Sequence, residues 1–195
     1  MSRGLIFVYG TLLRGGPNNH LLASKGAEFI CAARTKDKYW MISNETSRPP
    51  HGYPYPYLVL PGQETEPALS AELERLQWDD SSVPAPSVAL GEVYRVDSDT
   101  LNRLDELEGV EYARLPVSVE PLCKEGDVDG APLDAEVYLL SHQPTMAAIS
   151  ATLRQHREQQ AAEGAGAGAG AEGAGCPHRA VPLGDWARFV GGYPR

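Results

Sequence analysis

The sequence predicts an α+β domain: a mixed, mainly antiparallel β-sheet, closed or nearly closed, with helices flanking it. Three observations carry this. Short stretches rich in strand-favouring residues recur at 5–8, 27–33, 38–42, 57–60, 88–96, 112–119 and 135–140, a pattern of many strands rather than of a helical bundle. Most of the links between them are short and hairpin-like, which suits antiparallel neighbours. Only three longer segments, 67–78, 99–107 and 146–159, have helical spacing, and helices laid against a sheet bury its apolar face.

The first strand, Leu5-Ile6-Phe7-Val8, is cut at Gly10, and a Gly15-Gly16-Pro17 turn follows. A buried strand that ends on a glycine turns sharply, and the N–H groups beyond it lose their ladder partners. Successive free N–H groups form a nest for an anion. Taken alone, Gly10 reads as strand punctuation. Asn18 or Asn19 can cap a short helix carrying Leu21 and Leu22. Residues 27–33, centred on Phe29, Ile30 and Cys31, read as a strand. Residues 38–42, with Tyr39, Trp40 and Ile42, read as its neighbour, with a turn at 34–37.

Residues 47–56 form a proline-rich loop. Tyr53, Tyr55 and Tyr57, spaced by prolines, either wall a cleft or pack as a rigid loop. The strand at 57–60 is stopped by Pro61-Gly62. The helix at 67–78 places Leu69, Leu73 and Leu76 on one side, and a loop with two prolines runs on to 86. In 88–96 the alternation breaks at Gly91, which marks a bulge or a close backbone approach. Ser98 looks like the N-cap of the helix at 99–107, with apolar Leu101, Leu104 and Leu107 and with Gly109 at the C′ position. The strand at 135–140 turns Ala135, Val137 and Leu139 inward, and a charged turn at 124–132 precedes it. The last long helix carries Ile149 and Leu153.

A Gly-Ala repeat occupies 163–175. It has the glycines of a dinucleotide loop but no strand before it, so it reads as a flexible loop over about 160–178. Structured sequence resumes at Val181-Pro182-Leu183, and Trp186 and Phe189, three apart, suit one face of a short helix. The Gly-Ala tract therefore lies inside one domain, 1–195.

Composition narrows the function. The chain has 195 residues, room for one domain with a sizeable core. Its 17 basic and 26 acidic residues give a net charge of −9, which makes nucleic acid and anionic membrane poor partners. No apolar run approaches a membrane span, and the N-terminus does not read as a signal peptide. Cys31, Cys123 and Cys176 fit neither a disulfide framework nor a metal spacing. A reducing, cytoplasmic setting follows. His20, His51, His142, His156 and His178 show no ligand spacing, so we expect no metal and no cofactor. Cys176-Pro177-His178 offers a thiol beside an imidazole, but sequence neighbours seldom form such a dyad.

The order Phe7-Val8-Tyr9-Gly10-Thr11-Leu12, then Arg14-Gly15, then Pro17-Asn18 resembles the opening of the gamma-glutamylcyclotransferase-like superfamily. It is most similar to the branch holding gamma-glutamylamine cyclotransferase and the AIG2-like proteins. A second patch, Gly91-Glu92-Val93-Tyr94, Leu104-Asp105-Glu106-Leu107-Glu108-Gly109 and Tyr112-x-Arg114, resembles the same family, as does Gly184-Asp185-Trp186-x-x-Phe189. The resemblance covers about residues 3–24, 88–120 and 183–190. It implies the gamma-glutamylcyclotransferase-like fold, a small barrel-like sheet with helices against it. Beside compact members of the family, about 63–86 looks like an insertion at the rim.

The resemblance also implies the chemistry. The substrate is a small γ-glutamyl compound, Glu108 is the general acid/base, and Tyr9, Gly10, Thr11 and Leu12 bind the substrate. Tyr112 and Arg114 support the site. Arg14 either reaches the anion site or, as we favour, pairs with surface acids. The nucleophile is the substrate's own α-amine, so no serine, cysteine or metal is required. The products are 5-oxoproline and a free amine. On local sequence alone, Asp105, Glu106, Glu108 and Glu111 read as a solvated acidic patch; the two motifs together reverse that. A carboxylate at a helix C-terminus among other acids is held against the dipole and like charge, which raises its pKa. Family enzymes acting on γ-glutamyl amino acids resemble Tyr-Gly-Ser-Asn at the first loop, whereas this chain has Thr11 and Leu12. That favours γ-glutamyl amines, with γ-glutamyl amino acids as the alternative. A non-catalytic binding module on the same fold is the reading from another class, and a cysteine hydrolase is a weaker third.

Overall fold

A computed structural model describes residues 3–23, 26–44, 54–61, 67–79, 85–122, 131–164 and 178–180. Among the described residues there are seven strands, six of which run in the order β3-β2-β4-β1-β6-β5, with β5 pairing back onto β2 and the seventh, β7, also pairing with β2. The five strands β2, β4, β1, β6 and β5 thus close into a barrel. They are β1 Gly4–Val8, β2 Ala27–Asn44, β4 Ser87–Val96, β5 Tyr112–Pro121 and β6 Leu133–Leu140. β3, Tyr55–Val59, and β7, His178–Ala180, both pair with the far end of β2 outside the barrel. All pairings are antiparallel except β1 with β6. The predicted mixed, mainly antiparallel sheet is therefore a closed barrel.

β1 explains why its sequence is apolar without alternation. Phe7 and Tyr9 join the barrel interior with Cys31, Met41, Val93 and Val137. Ile6 and Val8 join the outer face with Leu104 and Tyr138, beneath α2, Ser98–Glu108. A strand covered on both faces carries apolar residues throughout. A third cluster sits between the outer half of β2 and two helices, α1 Pro67–Asp79 and α3 Gln143–Gly164. There Leu69 and Leu73 pack with Met146, Ile149 and Leu153. Buried Glu72 fastens α1 to α3 by accepting from Arg157 Nε at 2.9 Å.

Four local expectations are corrected. The turn expected at 34–37 is absent, because β2 is one strand of 18 residues. Its pairing with β4 shifts between Arg34 and Lys38. There the buried Thr35 hydroxyl donates to the Asp37 carbonyl at 2.7 Å and accepts from the Ala89 N–H at 2.9 Å. A side chain replaces the missing ladder bonds, and the strand continues. Helix α2 is capped by Asp97 rather than Ser98, its carboxylate accepting from the Thr100 N–H at 2.8 Å. The segment after Asn18 is a 3₁₀ turn, Asn19–Leu21, with no side-chain cap. Helix α3 extends to Gly164, and β7 begins at His178, within the stretch expected to be loop. Arg48, Tyr53, Cys123, Cys176, Trp186 and Phe189, and the turn at 124–132 apart from 131–132, lie outside the described residues, as does 165–177.

Gly91 is a close backbone approach. A Cβ there would lie 2.2 Å from the Val8 carbonyl oxygen, so β4 can press against the end of β1 only with glycine at this position. No helix among the described residues is long and apolar enough to cross a membrane.

Candidate active site

At the end of the barrel, where β1 gives way to its loop, lies a cavity of about 430 Å³, within the usual size of small-molecule sites. Tyr9, Gly10, Thr11 and Leu12 form one wall, with Pro17 and Asn18 beyond. Leu107, Glu108, Glu111 and Tyr112 also line the cavity, as do Tyr55, Pro56 and Tyr138. The structure brings together Glu108, the four loop residues and Tyr112, which are far apart in sequence.

The loop is built by short hydrogen bonds. The Leu13 N–H donates to the Gly10 carbonyl at 3.0 Å, and the Asn18 N–H to the Thr11 carbonyl at 3.1 Å. Asn18 Nδ2 donates to Thr11 Oγ1 at 3.0 Å, and Asn19 Nδ2 to the Leu12 carbonyl at 2.8 Å. No acceptor among the described residues takes the Thr11 or Leu12 N–H, so both donors lack a protein partner in residues that line the cavity. Gly10 is a glycine for space rather than for a left-handed turn. The glycines at positive φ are Gly15 and Gly109, whereas a Cβ on Gly10 would lie 2.8 Å from the Pro56 ring.

Glu108 is the last residue of α2, and Gly109, at φ 60°, turns the chain out of the helix. Burial raises the Glu108 pKa to about 7. The direction is the expected one, but the cause is different. Burial is the cause rather than the neighbouring acids: Asp105 is engaged elsewhere, accepting from Tyr138 OH at 2.6 Å and pairing with Arg114 at 3.2 Å. The Glu108 carboxylate accepts no hydrogen bond among the described residues. Desolvation without compensation favours the neutral acid. Tyr9 and Tyr112, facing the same space, are pushed well above the usual tyrosine range, first by burial and further by the Glu108 charge.

Of the supporting residues, Tyr112 lines the cavity, whereas Arg114 and Arg14 do not. Arg114 does not line the cavity; it bridges Asp105 and Glu136, the latter at 2.7 Å, and so ties α2 to β5 and β6. Arg14 also lies off the cavity, its Nε 2.7 Å from Glu92 and its guanidinium 3.9 Å from the centre of the Phe29 ring. Tyr112 donates to the Pro56 carbonyl at 3.2 Å and stacks on Tyr57. Tyr55 is both wall and packing, for it lines the cavity and meets Tyr57 edge-on. Sequence reasoning missed Tyr138, whose hydroxyl holds Asp105 and whose carbonyl accepts from Tyr9 OH at 2.8 Å. The available signal was its place between Val137 and Leu139, where a tyrosine interrupts an aliphatic run. It also missed Glu92, an acid set among the apolar residues of β4.

Fold and site define a small closed β-barrel protein whose end cavity is lined by one desolvated carboxylate and by a loop with two N–H groups unpartnered among the described residues. Residues 6–160 match the family described as Gamma-glutamyl cyclotransferase, AIG2-like. The chain is 30% identical over 160 residues to gamma-glutamylaminecyclotransferase A of Danio rerio, covering 75% of this chain and 80% of that protein. It is also 30% identical over 143 residues to gamma-glutamylaminecyclotransferase C of the same fish, covering 71% and 76%. In fold it is similar to the crystal structure of c4763, a uropathogenic E. coli-specific protein, with a TM-score of 0.53 at 17% identity over 98% of both chains. The chain belongs to the AIG2-like gamma-glutamyl cyclotransferase family, and its relatives mark it as an enzyme of the cyclotransferase type.

Proposed function

We propose that the chain is a gamma-glutamylamine cyclotransferase, converting a γ-glutamyl amine such as γ-glutamyl-ε-lysine to 5-oxoproline and the free amine. The observation that carries this reading is the shared cavity: Glu108, with its pKa raised to about 7, lines the same space as the Tyr9 to Leu12 loop. The names of its fish relatives support the amine class. In this reading the enzyme works in the cytoplasm and needs no metal or cofactor.

The substrate's α-carboxylate sits on the Thr11 and Leu12 N–H groups. Its α-ammonium gives a proton to Glu108, and the freed amine attacks the γ-carbonyl carbon of the same molecule. A five-membered ring closes as that C–N bond forms. Glu108 then returns the proton to the amide nitrogen and the old C–N bond breaks; the ring nitrogen gives its remaining extra proton to the departing amine, so that 5-oxoproline and an ammonium-form amine leave. No atom of the protein is consumed. A carboxyl group with pKa near neutrality can both take and return a proton at working pH. Holding the folded-back conformer contributes an effective molarity on the order of 10⁵ M or more, and the proton shuttle roughly 10²–10⁴-fold.

The test is to incubate the protein with γ-glutamyl-ε-lysine and, separately, with a γ-glutamyl amino acid, and to quantify 5-oxoproline by mass spectrometry across pH. We expect product from the lysine compound, with kcat/KM rising through a limb near pH 7 as Glu108 becomes the base. Product only from the amino-acid compound would move the chain to the sister activity. Absence of product from both would favour a binding module.

A further inference from the structure

Glu92 is a buried carboxylate that the proton transfers above do not use. It lies on β4 and is 9% exposed. Its two oxygens meet three donors. Oε1 accepts from Arg14 Nε at 2.7 Å, and Oε2 accepts from the Arg14 backbone N–H at 3.0 Å and from Tyr94 OH at 2.9 Å. Asn19 Nδ2 reaches the same Tyr94 hydroxyl at 3.4 Å and donates to the Leu12 carbonyl at 2.8 Å.

One carboxylate therefore ties down the loop at two points, at Arg14 directly and at Leu12 through Tyr94 and Asn19. Leu12 lines the cavity, and its N–H is one of the two open donors. The Arg14 side chain is 58% exposed, so the guanidinium contact alone holds little. The backbone N–H and Tyr94 contacts carry the anchoring. A charge is kept out of water at a cost unless it organises several donors. Here a neutral side chain of the same shape could not satisfy all three, because an amide would turn its own N–H₂ toward one of them.

We infer that Glu92 is the positioning residue of the substrate-binding loop: it fixes the Thr11 and Leu12 N–H groups at the cavity wall and sets affinity for the carboxylate end of the substrate, leaving proton transfer to Glu108. The inference rests on the reading of that loop as the substrate anchor.

The experiment compares wild type, Glu92→Gln and Arg14→Ala in two measurements. The first is ¹⁵N relaxation of the backbone at 11–14, which requires no turnover. The second is steady-state formation of 5-oxoproline from γ-glutamyl-ε-lysine across pH. Glu92→Gln is expected to lower the order parameters at 11–14 from about 0.85 to below about 0.6. It should also raise KM about tenfold, since misplaced anchoring groups lose substrate alignment, while the kcat/KM limb near pH 7 stays in place. Arg14→Ala, at a half-exposed side chain, should move both quantities in the same direction by less, because the backbone and Tyr94 bonds to Glu92 remain. Unchanged order parameters in Glu92→Gln would overturn the inference, as would a loss confined to melting temperature or a displaced pH limb. If wild type forms no 5-oxoproline, the cyclotransferase reading fails, and the relaxation data still decide whether Glu92 holds the loop.

Discussion

Glu92 and Glu108 are two carboxylates drawn out of water at the same end of one barrel. Glu92 meets three donors, two of them from Arg14. Glu108 meets none among the described residues, and burial alone lifts it to about 7. What separates them is the supply of donors. A strand flanked by a polar loop can surround an acid with N–H and O–H groups. A helix C-terminus presents carbonyls instead, and Arg114, the cation held against the same helix, is shared between Asp105 and Glu136. The first acid is fixed as structure, and the second keeps a titratable proton.

The comparison breaks most visibly at Glu108. Glu108→Gln preserves shape and removes the proton exchange, so 5-oxoproline formation should fall by roughly 10²–10⁴-fold with an unchanged circular dichroism spectrum. Equal turnover in the variant would show that Glu108 is not the base.

The same substitution should have the opposite effect on stability. Glu108 has a folded pKa of about 7 against an ordinary value of 4.5, so between those values the folded state binds more protons than the unfolded one. Stability then falls as pH rises through that window and stays low above it. Glu108→Gln escapes this penalty. It should match wild type near pH 4 and exceed it at pH 8 by about 2–3 kcal/mol, from the size of the displacement. Urea melts of both proteins at the two pH values measure it, and parallel curves would mean that Glu108 is well solvated.

The smallest effect concerns the other end of the helix that carries Glu108. Asp97→Ala removes the cap on the Thr100 N–H and should destabilise the helix slightly, read as a lower urea midpoint. Because the cap lies a full helix away from the cavity, KM should stay put. A KM change would mean that α2 shifts as a rigid body.

Much of this was legible in the sequence, for reasons that can be named. The run from Leu5 to Val8 declared a strand buried on both faces, and the leucines of α2 together with Gly109 declared a helix with a sharp end. Motif order joined the Tyr9 to Leu12 loop with Glu108 although 96 positions separate Leu12 from Glu108. The continuity of β2 was hidden because Arg34-Thr35-Lys36-Asp37-Lys38 is as polar as a turn, and what keeps it in the strand is the Thr35 side-chain bonds together with pairing to β5 through Arg34 and Thr35. The cause of the Glu108 shift was hidden as well. Sequence shows that Asp105 lies one turn away, but not that Tyr138 and Arg114 occupy it.

The parallel pairing of β1 with β6 has a consequence for synthesis. Tyr9, among the first residues made, waits for the carbonyl of Tyr138, 129 positions later. At about 5–20 residues per second, one wall of the cavity exists for roughly ten seconds on the ribosome before the other can dock. Until β6 emerges, the nascent chain carries the anchoring loop without a barrel to hold it. If that loop anchors the substrate as we propose, truncation anywhere before Leu140 should abolish substrate binding.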